Sequence, residues 1–265
     1  MIDILSEQGV ADLARFARAD TLLGLDYDGT LAPIRPDPDA ARLPAPTREL
    51  LATAARLYPT VIITGRSRDD MARLLCGVSK VQIIGSHGVE RPGAESDAQA
   101  YAQQVERWFK ALQARLEGQP GITIEHKRLS LSIHYRAAQS WTVARSVVLD
   151  AVTGLEGARI TGGKAVVNVV PRSAPNKGEA LMEACARNEA GFAIFVGDDV
   201  TDEDVFALDR PDTLLTVRVG YRRNSRAAYF LRRRGELNEM LRILIRHRLV
   251  SDPTSPITRV KCGLH

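Results

Sequence analysis

Two aspartates that end an apolar run near the N-terminus are the residues best suited to chemistry. Residues 22–25 predict a buried strand, and Asp26 and Asp28 follow it directly, just before Gly29. Because side chains alternate along an extended chain, both carboxylates are expected on the same side. Buried carboxylates are costly unless they are paired or bind a cation. The pair therefore predicts a metal-assisted site with acyl-phosphate chemistry.

Three further segments place polar residues directly after an apolar run or at the start of a helix. The first follows residues 61–63, the second opens a helix near residue 177, and the third follows residues 193–196. Their candidate site residues are Thr64, Gly65, Arg66, Lys177, Asp198, Asp199 and Asp202. Ligands bind at the carboxyl ends of the strands in open α/β sheets, so we expect these segments to meet there.

Each segment has an ordinary structural interpretation when it is considered alone. Asp26 and Asp28 can form a metal-free turn, and residues 197–202 can cap a helix. Thr64 can be a capping hydroxyl, and Lys177 a solvated lysine at a helix start. Together they supply what phosphoryl transfer needs: a nucleophile, a proton donor, phosphate ligands and oxygen ligands for a metal ion. The combination favours that chemistry.

Apolar runs alternate with helical stretches over much of the chain. The predicted strands cover residues 22–25, 60–64, 81–84, 191–196 and 214–219. Helices are predicted from about residue 47 and over residues 69–75 between the first three of these strands. Continuous apolar strands separated by helices are typical of a parallel sheet covered on both faces. We therefore expect an α/β fold with a doubly wound, Rossmann-like parallel-sheet core.

Residues from about 90 to 168 break this rhythm. They predict a long amphipathic helix over 98–116, strands at 123–125 and 129–135, a helix over 138–152 and a third strand at 165–170. Helices on one side of an antiparallel sheet form a small α+β unit. We expect a catalytic core of residues 1–89 and 170–265 and an inserted α+β cap domain of residues 90–169.

Composition and charge limit the other classes of protein. The 265 residues carry a formal net charge of +4 and are 45% hydrophobic, which is ordinary for a globular protein and suits an anionic small substrate. No apolar stretch approaches the ~20 residues of a membrane span, and no signal segment is evident. The arginine-rich residues 222–234 predict a solvated helix face, not a nucleic-acid site. The three cysteines show no paired spacing and predict reduced thiols: Cys76, Cys185 and Cys262. We expect a cytoplasmic monomer without a nucleic-acid or membrane partner, ending in a loose tail from Ser251.

The four segments together resemble the haloacid dehalogenase superfamily of aspartate-nucleophile phosphatases. The resemblance implies that Asp26 is the nucleophile and Asp28 the general acid/base. It implies that Thr64 and Lys177 hold the transferred phosphoryl group. It also implies a Mg²⁺ ion bound by Asp26, the backbone carbonyl of Asp28 and Asp198. Two further aspartates would support that metal site: Asp199 and Asp202.

The predicted cap resembles that of trehalose-6-phosphate phosphatases. The similar phrases are residues 85–90, 125–127, 132–136 and 163–172, and the resemblance covers roughly residues 20–245. It implies hydrolysis of trehalose 6-phosphate, a small-molecule sugar phosphate. The implied substrate-binding residues are Gly65, Arg66, Glu125, Lys127 and Asn168. The family position of Asn168 normally carries glutamate, and an amide is shorter and uncharged.

Other functions remain open at this level. Asn168 favours a phosphatase of another sugar or glycosyl phosphate, and the sequence also allows a non-catalytic sugar-phosphate-binding regulator or a phosphotransferase. We expect His87 near the hinge between core and cap, where it either faces the substrate or packs as an ordinary core histidine. His134 is expected to pack in a core, as are both tryptophans, Trp108 and Trp141.

Overall fold

The computed structural model describes residues 1–35, 37–163 and 165–251. Lys164 of the cap phrase and Cys262 lie outside these residues. The predicted loose tail also lies outside them, apart from Ser251, which ends the last helix. The described strands are β1 Ile2–Asp3, β2 Thr21–Leu25, β3 Thr60–Ile63, β4 Val81–Ile84, β5 Thr123–His126, β6 Leu131–His134, β7 Ala158–Gly163, β8 Val166–Pro171, β9 Phe192–Gly197, β10 Leu214–Val219 and β11 Tyr229–Leu231. The described helices are α1 Glu7–Arg15, α2 Ala45–Leu57, α3 Arg68–Leu74, α4 Glu95–Leu116, α5 Trp141–Val152, α6 Lys177–Arg187, α7 Glu203–Phe206 and α8 Leu237–Ser251.

The larger sheet has seven strands in the order β1-β11-β10-β9-β2-β3-β4, and every neighbouring pair is parallel. Alternate residues of one strand enter different apolar clusters. Leu23 of β2 packs with Leu51 of α2 and Leu241 of α8, whereas Leu22 packs with Leu181 of α6. Both faces of the sheet are therefore covered by helices, which confirms the predicted doubly wound α/β core.

The smaller sheet has four antiparallel strands in the order β5-β6-β8-β7. One face packs on α4 and α5, where Trp108, Leu112 and Val148 join Ile133 in a single buried cluster. The fourth strand, β7, was absent from the sequence prediction because its polar and glycine-rich residues lack an apolar run. Trp141 does not pack in this core: it is 45% exposed at the start of α5, so that prediction is wrong.

The arginine-rich segment differs from its prediction. It forms turns, the short strand β11 and a single 3₁₀ turn, not a helix face, although most of its arginine side chains are exposed as expected. The apolar residues Tyr229 and Leu231 interrupt the charges and supply the parallel pairing with β10. Within the described residues, no helix is both long and apolar enough to cross a membrane.

Candidate active site

The site lies where the larger sheet changes its winding direction. Strand β2 is hydrogen-bonded to β3 on one side and to β9 on the other, so chain connections diverge from this point. The backbone N–H of Asp26 still donates to Val196 of β9, at 2.9 Å, which fixes this aspartate at the carboxyl end of the sheet. Switch points of this kind form the ligand crevice of open α/β sheets.

A buried ion triad occupies this crevice. Lys177 Nζ lies 2.7 Å from Asp26 Oδ1 and 2.7 Å from Asp202 Oδ1, and all three residues are buried. A capping box between Asn176 and Glu179 fixes the start of α6 and so places Lys177 in the helix's first turn. Tertiary packing thus joins three residues that are far apart in the sequence.

The charges of the triad do not balance. Burial alone would lower the pKa of Lys177, but the neighbouring carboxylates Asp202 and Asp26 outweigh it and raise the pKa. Burial raises the pKa of Asp26 well above its ordinary range, against the opposing charge of Lys177. Burial and the charge of Asp202 also raise the pKa of Asp198, to about 7. The carboxylates therefore have less positive charge around them than their ionised forms require.

This deficit fits a divalent cation. Oxygen atoms of Asp26, Asp198 and Asp202 lie within 4.8 Å of one another, and hard ions such as Mg²⁺ prefer carboxylate and carbonyl oxygens. Asp202 already uses both oxygens: Oδ1 faces Lys177, and Oδ2 accepts the backbone N–H groups of Asp198 and Asp199, each at 2.8 Å. Asp202 therefore shapes the loop, which leaves Asp26 and Asp198 as the better side-chain ligands.

The predicted metal ligand Asp198 and the predicted supporting residue Asp199 take different positions. Asp198 Oδ1 accepts the hydroxyl of Thr30 at 3.0 Å. Gly29 has a φ of 87°, and a Cβ there would collide with the Asp198 carboxylate, so this turn requires glycine. Asp199 is exposed, and the structure does not bring its side chain into the acidic cluster.

Asp28 and Arg66 form a bidentate ion pair. Arg66 Nε donates to Asp28 Oδ2 at 2.6 Å and its second guanidinium nitrogen donates to Oδ1 at 2.7 Å. The side chain of Asp28 is 36% exposed, so this carboxylate remains open to the crevice. Thr64 is buried beside the pair, and its hydroxyl accepts the backbone N–H of Arg66 at 3.2 Å. Arg66 thus orients Asp28 in the structure. The predicted contact between Arg66 and the substrate remains a prediction.

Arg218 is a site residue that the sequence reasoning missed. It is buried in β10 and donates to the carbonyl oxygens of Asp198 and Asp199, the latter at 3.2 Å. It also pairs with Glu203 at 2.9 Å. Its guanidinium therefore stabilises the loop that carries Asp198 and Asp199. The available signal was an arginine inside the otherwise apolar residues 214–219, because a buried cation needs fixed acceptors.

The smaller sheet presents a polar row on the face away from its helices. Strand register aligns Glu125 with Ser132, Ser132 with Asn168, and Asn168 with Thr161, so one residue of each strand joins the row. Ser132 Oγ donates to Asn168 Oδ1 at 2.7 Å and fixes the amide. The structure therefore places the predicted substrate residues Glu125 and Asn168 on one surface.

Glu125 is the charged centre of this surface. Its Oε2 lies 2.9 Å from His134 Nε2 and 3.4 Å from Lys127 Nζ. The hydrogen bond with His134 lowers the pKa of Glu125, burial opposes this, and Lys127 adds to it. His134 is 43% exposed in its side chain, so the prediction that it packs in a core is wrong. The alternation along β6 places it on the polar face.

The polar face acts electrostatically on the crevice of the larger sheet. Asp204 of α7 has a pKa raised by burial, and both Arg159 of β7 and Lys177 oppose that rise. Burial, Lys177, Lys127 and Arg159 together lower the pKa of His87 to about 3. Arg159 of β7, Lys127 after β5 and Lys177 of α6 therefore act on the same region.

The fold and the site define the class of protein. A doubly wound parallel sheet, a separate antiparallel sheet and a carboxylate cluster at the switch point form the haloacid dehalogenase fold, and similar solved structures are phosphatases of that fold. A trehalose-6-phosphate phosphatase related protein superposes with a TM-score of 0.71 at 25% identity, over 88% of this chain and 100% of that one. The C-terminal domain of trehalose-6-phosphate phosphatase from C. albicans, at 23% identity, gives a TM-score of 0.76 over 92% of this chain and 99% of that one, which shows the shared fold.

Sequence comparison narrows the class. The family model for trehalose-phosphatase matches residues 24–232, and this chain belongs to that family. Trehalose 6-phosphate phosphatase RA3 of Zea mays is 32% identical over 212 residues, which are 70% of this chain and 58% of the relative. Probable trehalose-phosphate phosphatase 9 of Oryza sativa subsp. japonica is 31% identical over 259 residues, covering 83% and 68%. The chain thus spans little more than half of the first of these relatives.

Proposed function

We propose that this protein is a divalent-metal-dependent phosphatase that hydrolyses trehalose 6-phosphate to trehalose and phosphate. The observation that carries the proposal is the buried triad of Asp26, Lys177 and Asp202 at the switch point of the sheet. A carboxylate held at this position by a lysine is suited to attack phosphorus. The family membership supports the substrate class, since the relatives named above are phosphatases of trehalose phosphate.

The reaction has two steps in this proposal. Asp26 attacks phosphorus in line and forms an aspartyl-phosphate as the bond to the sugar oxygen breaks, and Asp28 in its protonated form gives its proton to that departing oxygen. In the second step Asp28 takes a proton from a water molecule. This water attacks the aspartyl-phosphate and releases phosphate from Asp26. Lys177 and the hydroxyl of Thr64 hold phosphoryl oxygens, and Arg66 keeps the Asp28 carboxylate directed into the crevice.

We propose Mg²⁺ as the metal ion. Asp26, Asp198 and the backbone carbonyl of Asp28 would hold it, with Asp202 fixing the loop and the exposed Asp199 in a supporting role. When bound, the ion supplies positive charge that keeps the carboxylates ionised and stabilises charge on the phosphoryl group. The raised pKa values of Asp26 and Asp198 support this, since a cation lowers both.

The polar row of the smaller sheet supports recognition of sugar hydroxyls. Glu125 and Lys127 are half-exposed, and Asn168 is fixed by Ser132, so these groups are accessible and oriented. Gly65 contributes backbone beside Thr64. A second candidate substrate is another sugar phosphate, which Asn168 favours because an amide replaces the glutamate that the family resemblance implies.

Phosphate release across a panel of substrates tests the function. We expect Mg²⁺-dependent release from trehalose 6-phosphate well above that from glucose 6-phosphate, sucrose 6-phosphate and glucosylglycerol phosphate. A clear preference for one of the other sugar phosphates would change the proposed substrate but not the proposed reaction. Absence of release from every phosphate ester would refute the phosphatase.

Replacing the nucleophile tests the chemistry. Asp26→Asn should lower turnover at least ~10³-fold, because the amide cannot form the aspartyl-phosphate. Circular dichroism melting serves as the control for folding, and substantial remaining turnover in a folded variant contradicts the assignment.

The remaining predictions concern organisation and location. We propose a core of residues 1–89 and 170–265 with an inserted cap of residues 90–169, and a monomer in a reducing cytoplasm without nucleic-acid or membrane partners. The two separate sheets support the division into core and cap, and the free thiols of Cys76 and Cys185 are consistent with a reducing compartment. Sedimentation velocity measures the oligomeric state directly.

A further inference from the structure

His87 occupies a strained turn that packs on the phosphate side of the crevice. Ser86 and His87 have φ values of 49° and 58°, in the left-handed region that side chains rarely adopt. The His87 N–H donates to Thr64 O at 2.8 Å, and the Ser86 N–H donates to Arg66 O at 2.8 Å. Hydrogen bonds to the predicted phosphate segment therefore hold the turn in its costly conformation.

The imidazole lies directly over Gly65. A Cβ at Gly65 would fall 2.5 Å from His87 Cε1 and 2.6 Å from Nε2, so only glycine leaves room for the ring. This close approach explains why a glycine stands between Thr64 and Arg66. Lys177 is among the charges that act on the ring, so the ring lies near the triad.

One ring nitrogen of His87 is unsatisfied. Its Nδ1 is closed off from solvent and has no hydrogen-bond partner within residues 1–35, 37–163 and 165–251. Leaving a buried polar atom unpaired destabilises the folded state. A strained turn that also holds an orphaned nitrogen is costly for the folded chain, which points to a ligand that supplies the partner.

The charges around His87 keep the ring neutral. Burial has the largest effect and lowers the pKa, and Lys177 of α6, Lys127 after β5 and Arg159 of β7 lower it further, to about 3. A neutral imidazole has one donor and one acceptor nitrogen and can pair with a hydroxyl in either sense. The same cations are suited to bind the phosphate of an anionic ligand. The neutral ring is then available to hydrogen-bond an uncharged group of that ligand.

We propose that His87 is a specificity-determining residue whose Nδ1 hydrogen-bonds a hydroxyl of the sugar that carries the transferred phosphate. The proposal rests on the proposed function and deepens it, because it adds a contact from the core to those of the polar row. Nδ1 is covered in the structure, although His87 as a residue is only partly buried, so the proposal requires the sugar to displace the atoms that cover this nitrogen. Binding of the hydroxyl then gives His87 Nδ1 the hydrogen-bond partner that it lacks.

Substrate selectivity separates this role from simple packing on Gly65. His87→Ala should raise the KM for trehalose 6-phosphate ~10-fold, because one hydrogen bond in a closed site is lost. The kcat/KM for p-nitrophenyl phosphate, which has no sugar hydroxyl, should stay within ~2-fold, as should the inhibition constant of inorganic phosphate. Equal losses on both substrates would show a packing role and overturn the proposal, and so would an unchanged KM.

Two further variants serve as controls for this test. Ser86→Ala alters the same turn but removes only a bond to Glu90, at 3.0 Å, so it should leave both substrates unaffected. His87→Asn keeps a polar group in a residue that tolerates the left-handed conformation, and it should give a smaller rise in KM than His87→Ala. A larger rise in the asparagine variant would contradict the proposal.

A measurement on the unaltered protein avoids dependence on variants that fail to fold. Nitrogen-15 NMR of the histidine rings should show a shift of the His87 resonance on addition of trehalose with inorganic phosphate, and none on addition of phosphate alone. Absence of the sugar-dependent shift overturns the proposal. If the wild type releases no phosphate from trehalose 6-phosphate, the proposed function itself fails, which is distinct from a wild type that turns it over without using His87.

Discussion

The crevice of the larger sheet and the polar row of the smaller one use similar residue types in opposite ways. In the crevice, Lys177 is 2% exposed in its side chain and touches two carboxylates at 2.7 Å. Beside the polar row, the side chain of Lys127 is 34% exposed and its Nζ lies 3.4 Å from Glu125 Oε2. Buried ion pairs need fixed geometry to offset the loss of hydration, whereas exposed pairs contribute little to stability. This contrast supports the proposal that the crevice carries the chemistry and that the row makes contacts a substrate can replace.

Removal of Lys177 should give the largest effect and tests the claim that the crevice depends on buried charge. Lys177→Met leaves Asp26 and Asp202 without their cation, so we expect a loss of about 3–5 kcal/mol of unfolding free energy and ~10³-fold lower turnover. Urea unfolding and phosphate release measure both. Lys110→Met, an exposed lysine paired with Glu106, is the matched control and should change neither. Similar stability of the two variants would remove the contrast between the regions.

Loss of Arg218 should have the next largest effect and tests whether the loop around Asp198 depends on support from β10. Arg218→Met removes the donors to two loop carbonyls, so Mg²⁺ affinity should fall ~10–100-fold, as expected for a residue that orients ligands. Isothermal titration measures the affinity without turnover. Arg242→Met on the exposed side of α8 is the control. Unchanged affinity in a folded Arg218→Met protein would show that the loop holds its shape unaided.

Glu125→Gln tests the other side of the comparison. The amide loses the charge that Lys127 and His134 face, so the KM for trehalose 6-phosphate should rise ~10-fold while the kcat/KM for p-nitrophenyl phosphate is unchanged. The unfolding free energy should stay within ~0.5 kcal/mol, because the group is half-exposed. Glu106→Gln, which lies on α4 outside the polar row, is the control. A large loss of stability without a change in KM would make Glu125 a structural residue.

The pH dependence of stability involves both regions, through His87, and within about half a pH unit of 6.5 it gives the smallest effect. Burial, Lys177, Lys127 and Arg159 hold its folded pKa at about 3, below the ordinary value of 6.5. The unfolded chain therefore binds more protons between these values, so stability is complete above pH 6.5 and is lost as the pH falls through this interval. The slope is at most about 1.4 kcal/mol per pH unit. His87→Asn cannot titrate and should show a shallower decline in urea unfolding below pH 6.5; parallel curves would contradict the neutral imidazole.

Local patterns allowed much of the core to be predicted. Apolar runs marked the strands that end just before Asp26, Thr64 and Asp198, and the residues around Lys177 indicated a helix start. They failed where strands are short or polar, as in β7 and β11, because such segments gain their pairing from neighbouring strands and not from their own periodicity. The same limit misplaced His134 and Trp141, whose exposure depends on which face meets the helices.

The sequence by itself determined that the chemical residues would meet. The carboxyl ends of parallel strands share one edge of a sheet, so a strand prediction also predicts a common site for the polar residues that follow each strand. Only the tertiary structure decided how those residues are used. It paired Arg66 with Asp28, set Asp202 to hold the loop, placed Arg218 beneath that loop and turned His87 over Gly65. These contacts join distant parts of the chain, and side-chain packing, which no local pattern records, selects them.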